Sequence, residues 1–268
     1  MSTKPFLKWA GGKRRLLPIL KAQFPTHYEA FIEPFVGGAA AFFDVAPSCS
    51  LIADKNLRLV RTYVAVRDQP QAVINILSSY KNDESSYLAV RDSGSLDSGN
   101  DAEAAATFIY LNKAGFNGLY RENRQGRFNT PYGHNAGGEV CDAVTLRACS
   151  AALQGASIEH ASFEDTIDRA DAGDFVYCDP PYSSAKSASF TGYTANGFGA
   201  SEHARLRDIA LKAKQRDVQV LISNSDTPQV RALYANPIFR IVPIQAPRNI
   251  AANPNRRGTA SEVLIANY

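Results

Sequence analysis

The sequence predicts an α/β protein built on a buried, mostly parallel sheet, and two patterns carry that expectation. Short apolar, β-rich runs recur along the chain and end in small or acidic residues. Several lead into segments whose apolar residues return at helical spacing. Strands buried on both faces read as near-continuous apolar runs, so the alternation points to helices covering a parallel sheet.

In chain order, Tyr28–Glu33 (YEAFIE) is the first expected strand and leads into the glycine-containing PFVGGAAAFF. Ser50–Ala53 (SLIA) is the second and stops at Asp54. Ala156–His160 follows, then Asp174–Cys178 (DFVYC) before Asp179, Val218–Ser223 (VQVLIS), Phe239–Ile244 and Glu262–Tyr268. Helical patterns cover Lys13–Gln23, Gly38–Val45, Leu57–Arg67, Gln71–Tyr80, Ala102–Asn112, Asp142–Leu153, Glu202–Gln215 and Pro228–Tyr234. The alternation breaks between Leu57 and Ala148, where helices and a Gly/Asn/Arg-rich loop stand without a buried strand. Residues 57–148 therefore read as a helical insertion, with 1–56 and 149–268 forming the α/β domain. Within the insertion, the Ser-, Asp- and Gly-rich segment Asp83–Asp101 reads as a mobile loop.

With 268 residues, 45% hydrophobic and 21% charged, the chain has ample material for a core. Those fractions exclude a disordered, collagenous or coiled-coil protein. MSTKPFLKWAGGK offers no apolar signal region, and no run approaches a membrane span. The four cysteines, Cys49, Cys141, Cys149 and Cys178, are widely spaced with no CxxC. They suit a reducing cytoplasm and argue against structural metal or a disulfide scaffold.

The net charge of +3 conceals its distribution. Residues 4–21 hold Lys4, Lys8, Lys13, Arg14, Arg15 and Lys21 without an acid, a charge of +6. Residues 112–132 contribute +3, and residues 248–257 (Arg248, Arg256, Arg257) another +3, leaving −9 for the remainder. Charge clusters usually mark a solvated face. Three in a weakly charged chain also suit a polyanion footprint.

Four segments carry residue types suited to chemistry. FIEPFVGGAA follows a strand and opens a helix, where nucleotide-like ligands sit in open α/β sheets. Its single Gly37-Gly38 pair lacks the GxGxxG spacing a dinucleotide pyrophosphate needs, so an adenosine ligand without phosphates fits better. Asp54 ends the next strand, where a carboxylate can accept from ribose hydroxyls or simply cap a helix. YCDPPY follows the apolar run Asp174–Cys178. Its prolines free backbone carbonyls as acceptors, so Asp179 and the Pro180 carbonyl could face one exocyclic amino group while Tyr182 stacks on its ring. The plainer alternative is a strand-ending turn. FLKWAGGK, with the only tryptophan, a Gly-Gly pair and two lysines, could hold a carboxylate or act as a hydrophobic anchor. YLNKAGFNGLYRENRQGRFNTPYG interleaves basic, amide and aromatic side chains, as base-edge readers do, and equally suits a surface loop.

Taken in order, these segments resemble the DNA adenine methylase (Dam) family of N6-adenine methyltransferases over nearly the whole chain. FLKWAGGK looks like its N-terminal cofactor motif, FIEPFVGG its glycine loop and ADKN its ribose-binding acid. YLNKAGFNGLYREN with GRFNTPYG is similar to its recognition segment, and YCDPPY to its catalytic motif. The order is the α-class arrangement. The resemblance implies a Rossmann-like methyltransferase fold with an inserted helical target-recognition domain, S-adenosylmethionine as donor and double-stranded DNA as partner. It implies no metal and no membrane, and a monomer acting on a short GATC-like site. Trp9, Ala10, Gly11 and Lys13 would hold the methionine part of the donor, with Phe35 and Gly37 lining its pocket. Asp54 would bind the ribose and Phe163, from SFEDTI, would flank the adenine. Asp179 also counts among the cofactor-side residues. Asp179, Pro180, Pro181 and Tyr182 would grip the target adenine. Lys8, Phe116, Asn117, Leu119, Arg121, Asn129 and Pro131 match recognition positions. The three basic segments would then line one DNA cleft.

Phe116 replaces a common Tyr, and Tyr120 and Glu122 depart from the small and aromatic residues expected beside Arg121. An acid there would repel phosphate unless it pairs with an arginine or accepts from a cytosine amine. An N4-cytosine methyltransferase is argued against by the recognition segment. A DNA-binding protein without catalysis would be expected to carry broken motifs, and a nicotinamide enzyme is disfavoured by the glycine spacing.

Overall fold

A computed structural model describes residues 3–134, 137–182, 198–247 and 259–268. The basic segment Arg248–Arg257 lies outside the described residues. Among the described residues there are seven strands: β1 (Phe31–Glu33), β2 (Ser50–Asp54), β3 (Ala156–His160), β4 (Phe175–Cys178), β5 (Gln219–Ser225), β6 (Arg240–Pro247) and β7 (Thr259–Ala266). They form one sheet in the order β3-β2-β1-β4-β5-β7-β6. β1 runs parallel to β2 and β4, and β4 parallel to β5, whereas β7 is antiparallel to both β5 and β6. The expected mostly parallel α/β fold is therefore what forms.

Strand order decides where a ligand can sit. From β1 the chain steps outward to β2, and it later re-enters on the opposite side of β1 as β4. The carboxyl ends of β1 and β4 thus flank a topological switch point, where the flanking connections diverge and open a crevice. Phe35 follows β1 by two residues, and Asp179 follows β4 directly.

The helices are α1 (Leu17–Lys21), α2 (Ala40–Val45), α3 (Leu57–Asp68), α4 (Pro70–Ser79) and α5 (Glu84–Asp92). After these come α6 (Asp101–Ala114), α7 (Ala143–Leu153), α8 (Phe163–Asp168), α9 (Ala200–Gln215) and α10 (Pro228–Leu233). Two expectations are corrected. The helix expected over Lys13–Gln23 contracts to α1, because Pro18, lacking an N–H, sits in the first turn and sets the start there. The loop expected over Asp83–Asp101 contains α5 and a 3₁₀ turn, Ser95–Asp97. Asp83 caps α5 by accepting from the Ser86 N–H, and Tyr87 is buried, donating to the Thr130 carbonyl at 3.0 Å. The Asp and Ser residues that suggested a loop are capping residues. Among the described residues no helix is long and apolar enough to cross a membrane.

The chain divides into two compact units. The first comprises Met1–Arg14, Val36–Ser48 and Asp54–His160. Its central helix is α6, whose alanine- and aromatic-rich sequence is buried almost all round by α3, α4 and α5. The second comprises Arg15–Phe35, Cys49–Ala53 and Ala161–Tyr268. Its core joins Ile32, Val176, Ile222 and Ile265 on the strands to Ile167, Leu206, Ala210 and Val230 on the helices.

Asn267, buried just beyond β7, closes the far end of this second core. Its Oδ1 accepts from the Val220 N–H at 2.7 Å, and its Nδ2 donates to the carbonyls of Ala210 at 3.0 Å and Val218 at 3.1 Å. Asn267→Ala removes the acceptor of the buried Val220 N–H and is expected to cost about 1–3 kcal/mol in urea unfolding. An unchanged urea midpoint would contradict that role.

Candidate active site and nucleic-acid interface

In the first unit the glycine loop is shaped by the only tryptophan. Gly37 has φ +45°, and a Cβ there would lie 2.7 Å from Trp9 Cδ1 and 2.8 Å from Nε1. No other residue fits without moving the indole. The loop is pinned beneath it by two further bonds. The Gly37 N–H donates to Asp54 Oδ2 at 3.0 Å, and Tyr63 donates to the Gly37 carbonyl at 2.7 Å. Asp54 also accepts from the Asn56 N–H at 2.9 Å through Oδ1. Burial raises its pKa, opposed by backbone donors at Asn56, Gly37 and Lys55 and by the charge of His160. Asp54 thus ties the end of β2 to the glycine loop as well as standing where a ribose acceptor is expected.

FLKWAGGK folds as a turn closed by the Gly12 N–H on the Trp9 carbonyl at 3.1 Å. Ala10 and Gly11 are exposed, whereas Lys13 is buried and its Nζ donates to the Gly11 carbonyl at 3.1 Å. Trp9 stacks on Phe108 (6.4 Å, 18°) and on Tyr120 (6.0 Å, 23°), and these two stack on each other at 5.4 Å.

Tyr120 lies inside the recognition segment, which begins in α6, passes through a 3₁₀ turn at Phe116–Gly118 and folds as a hairpin from there to Asn129. Its strands pair through the Asn129 N–H on the Arg121 carbonyl and the Asn123 N–H on the Arg127 carbonyl, both 2.9 Å. Arg121, Arg124 and Arg127 are exposed. Arg121 Nε donates to Asn129 Oδ1 and Nη2 to the Asn129 carbonyl, each at 2.7 Å, so two sequence-predicted base readers hold one another. Phe116 is 46% exposed, a large aromatic presented to solvent. Asn117 beside it takes φ +54°, a conformation Asn tolerates. The Phe116 N–H donates to the Pro131 carbonyl at 2.9 Å, and the Leu119 carbonyl accepts from Thr130 at 3.0 Å. Lys8 joins this group: its stem packs against Gly118, where a Cβ would come within 2.4 Å, and its Nζ donates to the Lys113 carbonyl at 3.2 Å. All seven predicted recognition residues lie in this unit.

Three organising residues in it escaped sequence reasoning. Buried Asn112 accepts from the Lys8 N–H at 2.9 Å, and donates to the carbonyls of Lys8 at 2.7 Å and Gly118 at 3.0 Å. A lone amide near the end of an apolar helix was the available signal. Tyr63 lies on the buried stripe of α3 with Leu59, Val60 and Val66, so periodicity marks it as core. Arg58 pairs with Asp97 and Glu122, contacts remote in sequence.

In the second unit the Asp-Pro-Pro-Tyr turn leaves the buried strand β4 at the switch point. Asp179 Oδ1 accepts from Ser223 Oγ on β5 at 2.7 Å. Pro180 is buried, Pro181 exposed and Tyr182 half-buried. Tyr182 donates to Glu262 Oε2 on β7 at 2.8 Å. Burial, with Asp179 and Glu262 nearby, holds its phenol well above the usual range, so it stays protonated. Phe35 and Phe163 stack on each other (5.4 Å, 23°), and Phe198 packs on both. Ser223, Glu262 and Phe198 were not singled out in the sequence. Only the register of β4, β5 and β7 brings the first two to the turn.

The half-buried Asp179-Pro180 turn at the switch point of an α/β sheet, the glycine loop against Trp9 and the exposed basic hairpin each suit an enzyme that modifies a nucleotide. The chain belongs to the D12 class N6 adenine-specific DNA methyltransferases, whose profile matches residues 9–250. It is 37% identical to the type II methyltransferase M1.LlaDCHI of Lactococcus lactis subsp. cremoris, covering 100% of this chain and 96% of that one. It is 36% identical to a DNA adenine methylase of Vibrio cholerae (97% and 95% covered). It is 34% identical to the type II methyltransferase M.MjaIII of Methanocaldococcus jannaschii, with both chains covered fully.

Because Trp9 is the sole tryptophan, its fluorescence reports this packing alone. Gly37→Ala is expected to shift the emission maximum and to destabilise the protein by about 1–3 kcal/mol. An unchanged spectrum with unchanged stability would show that the indole does not hold the loop.

Proposed function

We propose that the protein transfers the methyl group of S-adenosylmethionine to the N6 amine of an adenine rotated out of duplex DNA, within a short GATC-like site. The carrying observation is the Asp179-Pro180 turn at the switch point, its carboxylate oriented by Ser223 and followed by Tyr182.

The residues present fit such a donor by their chemistry. Lys13, buried with its ammonium at the Gly11 carbonyl, suits a carboxylate, with Trp9, Ala10 and Gly11 beside it. Asp54 still has lone pairs for ribose hydroxyls after accepting backbone N–H groups, since a carboxylate offers about four acceptor positions. Phe35 and Phe163 suit the adenine ring, and Gly37 lets the loop pass directly against the Trp9 indole. S-adenosylmethionine supplies, when bound, a methyl group made electrophilic by its sulfonium.

The remaining work falls to the chain. Adenine's amino lone pair is delocalised into its ring and is a poor nucleophile. The Asp179 carboxylate and the Pro180 carbonyl, accepting from its two N–H groups, localise that lone pair and stabilise the positive charge developing on nitrogen. Pro181 fixes the turn, and Tyr182 stacks on the base. In-line attack then depends mainly on alignment. Rotating the base out costs roughly a few kcal/mol, met by contacts from Lys8 and the recognition-segment residues Phe116, Asn117, Leu119, Arg121, Asn129 and Pro131. The two-stranded hairpin suits the major groove, which admits a β-ribbon. Residues 57–148 act as the target-recognition insertion, and the enzyme works as a cytoplasmic monomer.

Asp179→Ala is expected to abolish transfer of labelled methyl groups to duplex DNA while binding persists; retained transfer would remove Asp179 from the mechanism. Mapping every methylated base in mixed-sequence DNA identifies the target. Arg121→Ala should relax preference at one base pair by about 1–3 kcal/mol. Equal weakening at all sites would instead make Arg121 a phosphate contact.

A further inference from the structure

Arg58 stands on the first turn of α3, outside every motif singled out for DNA recognition, yet its guanidinium converges on the recognition hairpin. Nε and Nη2 fork onto Asp97 at 2.6 and 2.7 Å. Nη1 donates to Glu122 Oε1 at 2.8 Å, to the Gly126 carbonyl at 3.0 Å and to the Tyr120 hydroxyl at 3.2 Å. Tyr120 itself donates to Glu122. The Arg58 side chain is only 18% exposed, although it lies beside the exposed basic tip.

Side chains on a strand alternate between its faces. Tyr120 and Glu122 share the face turned to Arg58, so Arg121 between them points the opposite way, where it bonds Asn129. Holding positions 120 and 122 therefore sets the direction of the arginine expected to read a base. At the other end, Tyr120 is stacked on Trp9 and Phe108. Burial, then the bond to Glu122, pushes its phenol up to about 12, so it remains a donor at neutral pH. The arrangement also accounts for the acid: Glu122 is paired within the protein instead of facing phosphate alone.

We propose that Arg58 is a positioning residue for DNA sequence recognition, which with Asp97 and Glu122 orients the hairpin so that Arg121 meets its base pair. The proposal rests on the DNA-methylating function given above. Its charge is taken up by two carboxylates, so it makes no contribution of its own to phosphate binding.

The test compares Arg58→Gln, Arg58→Lys and Glu122→Gln with the wild-type chain. The probe is a short duplex carrying the sequence the wild type methylates, with companions altered at one base pair each. Two readings are taken: the ratio of kcat/KM between these duplexes, and the slope of log Kd against log salt. Arg58→Gln and Glu122→Gln should lower discrimination about tenfold at the pair that Arg121 reads, with the salt slope unchanged. Arg58→Lys, keeping a charge without the fork, should recover only part of the loss. A slope reduced by about one in Arg58→Gln would make Arg58 a phosphate contact and overturn the proposal. Tighter DNA binding by Glu122→Gln with discrimination intact would overturn it too, by making Glu122 merely repulsive. Should Arg58→Gln fail to fold, Glu122→Gln at the hairpin decides alone. A wild-type chain that methylates no sequence refutes the function above, a result distinct from either of these.

Discussion

The indole of Trp9 lies against Gly37 more closely than any side chain at that position would allow, and much of the first unit is arranged around that contact. On one side it forces a glycine into a left-handed turn, which Asp54 and Tyr63 then lock from below. On another side it stacks with Phe108 and Tyr120, so the tryptophan that shapes the glycine loop also seats the first residue of the recognition hairpin. A single partly buried aromatic thereby contacts two segments far apart in sequence. Aromatic stacking of this kind is worth about 0.5–1.5 kcal/mol per pair beyond area burial, so the anchor is firm without being rigid.

The second unit obeys a different constraint, the order of its strands. β4 is fully buried and parallel to both neighbours, which leaves its carboxyl end as the place where polar groups can emerge. Asp179 emerges there and meets Ser223 from β5, while Glu262 from β7 receives Tyr182. The antiparallel pairing of β7 with β5 is what carries that carboxylate to the turn. Chemistry that asks for hydrogen-bond acceptors in fixed positions is well served by groups seated on adjacent strands rather than on a loop.

Much of this was legible in the residues. Apolar runs placed every strand to within three residues at each end, because burial on both faces leaves a plain signature. The motifs carrying Trp9, Gly37, Asp54, Arg121 and Asp179 were visible because they break the patterns of ordinary elements. α5 was hidden, since Asp and Ser serve loops and helix caps alike and only the burial of Tyr87 separates the two. Asn112, Arg58 and Ser223 were hidden for a stronger reason. Each acts through a partner distant in the chain, as Arg58 does with Asp97 and Glu122, and no local spacing encodes such a pair. Glu122 takes the first of the two routes open to an acid there, pairing with an arginine, but no local spacing says which arginine.

As proposed, Asp179 and Pro180 direct methyl transfer from S-adenosylmethionine to adenine and to no other base. Incubation of the protein and duplex DNA with donor bearing an isotopically labelled methyl group, followed by digestion to nucleosides and mass analysis, tests this most directly. All DNA-borne label is expected as N6-methyladenine nucleoside. Label recovered on cytosine, or none on DNA at all, would contradict it.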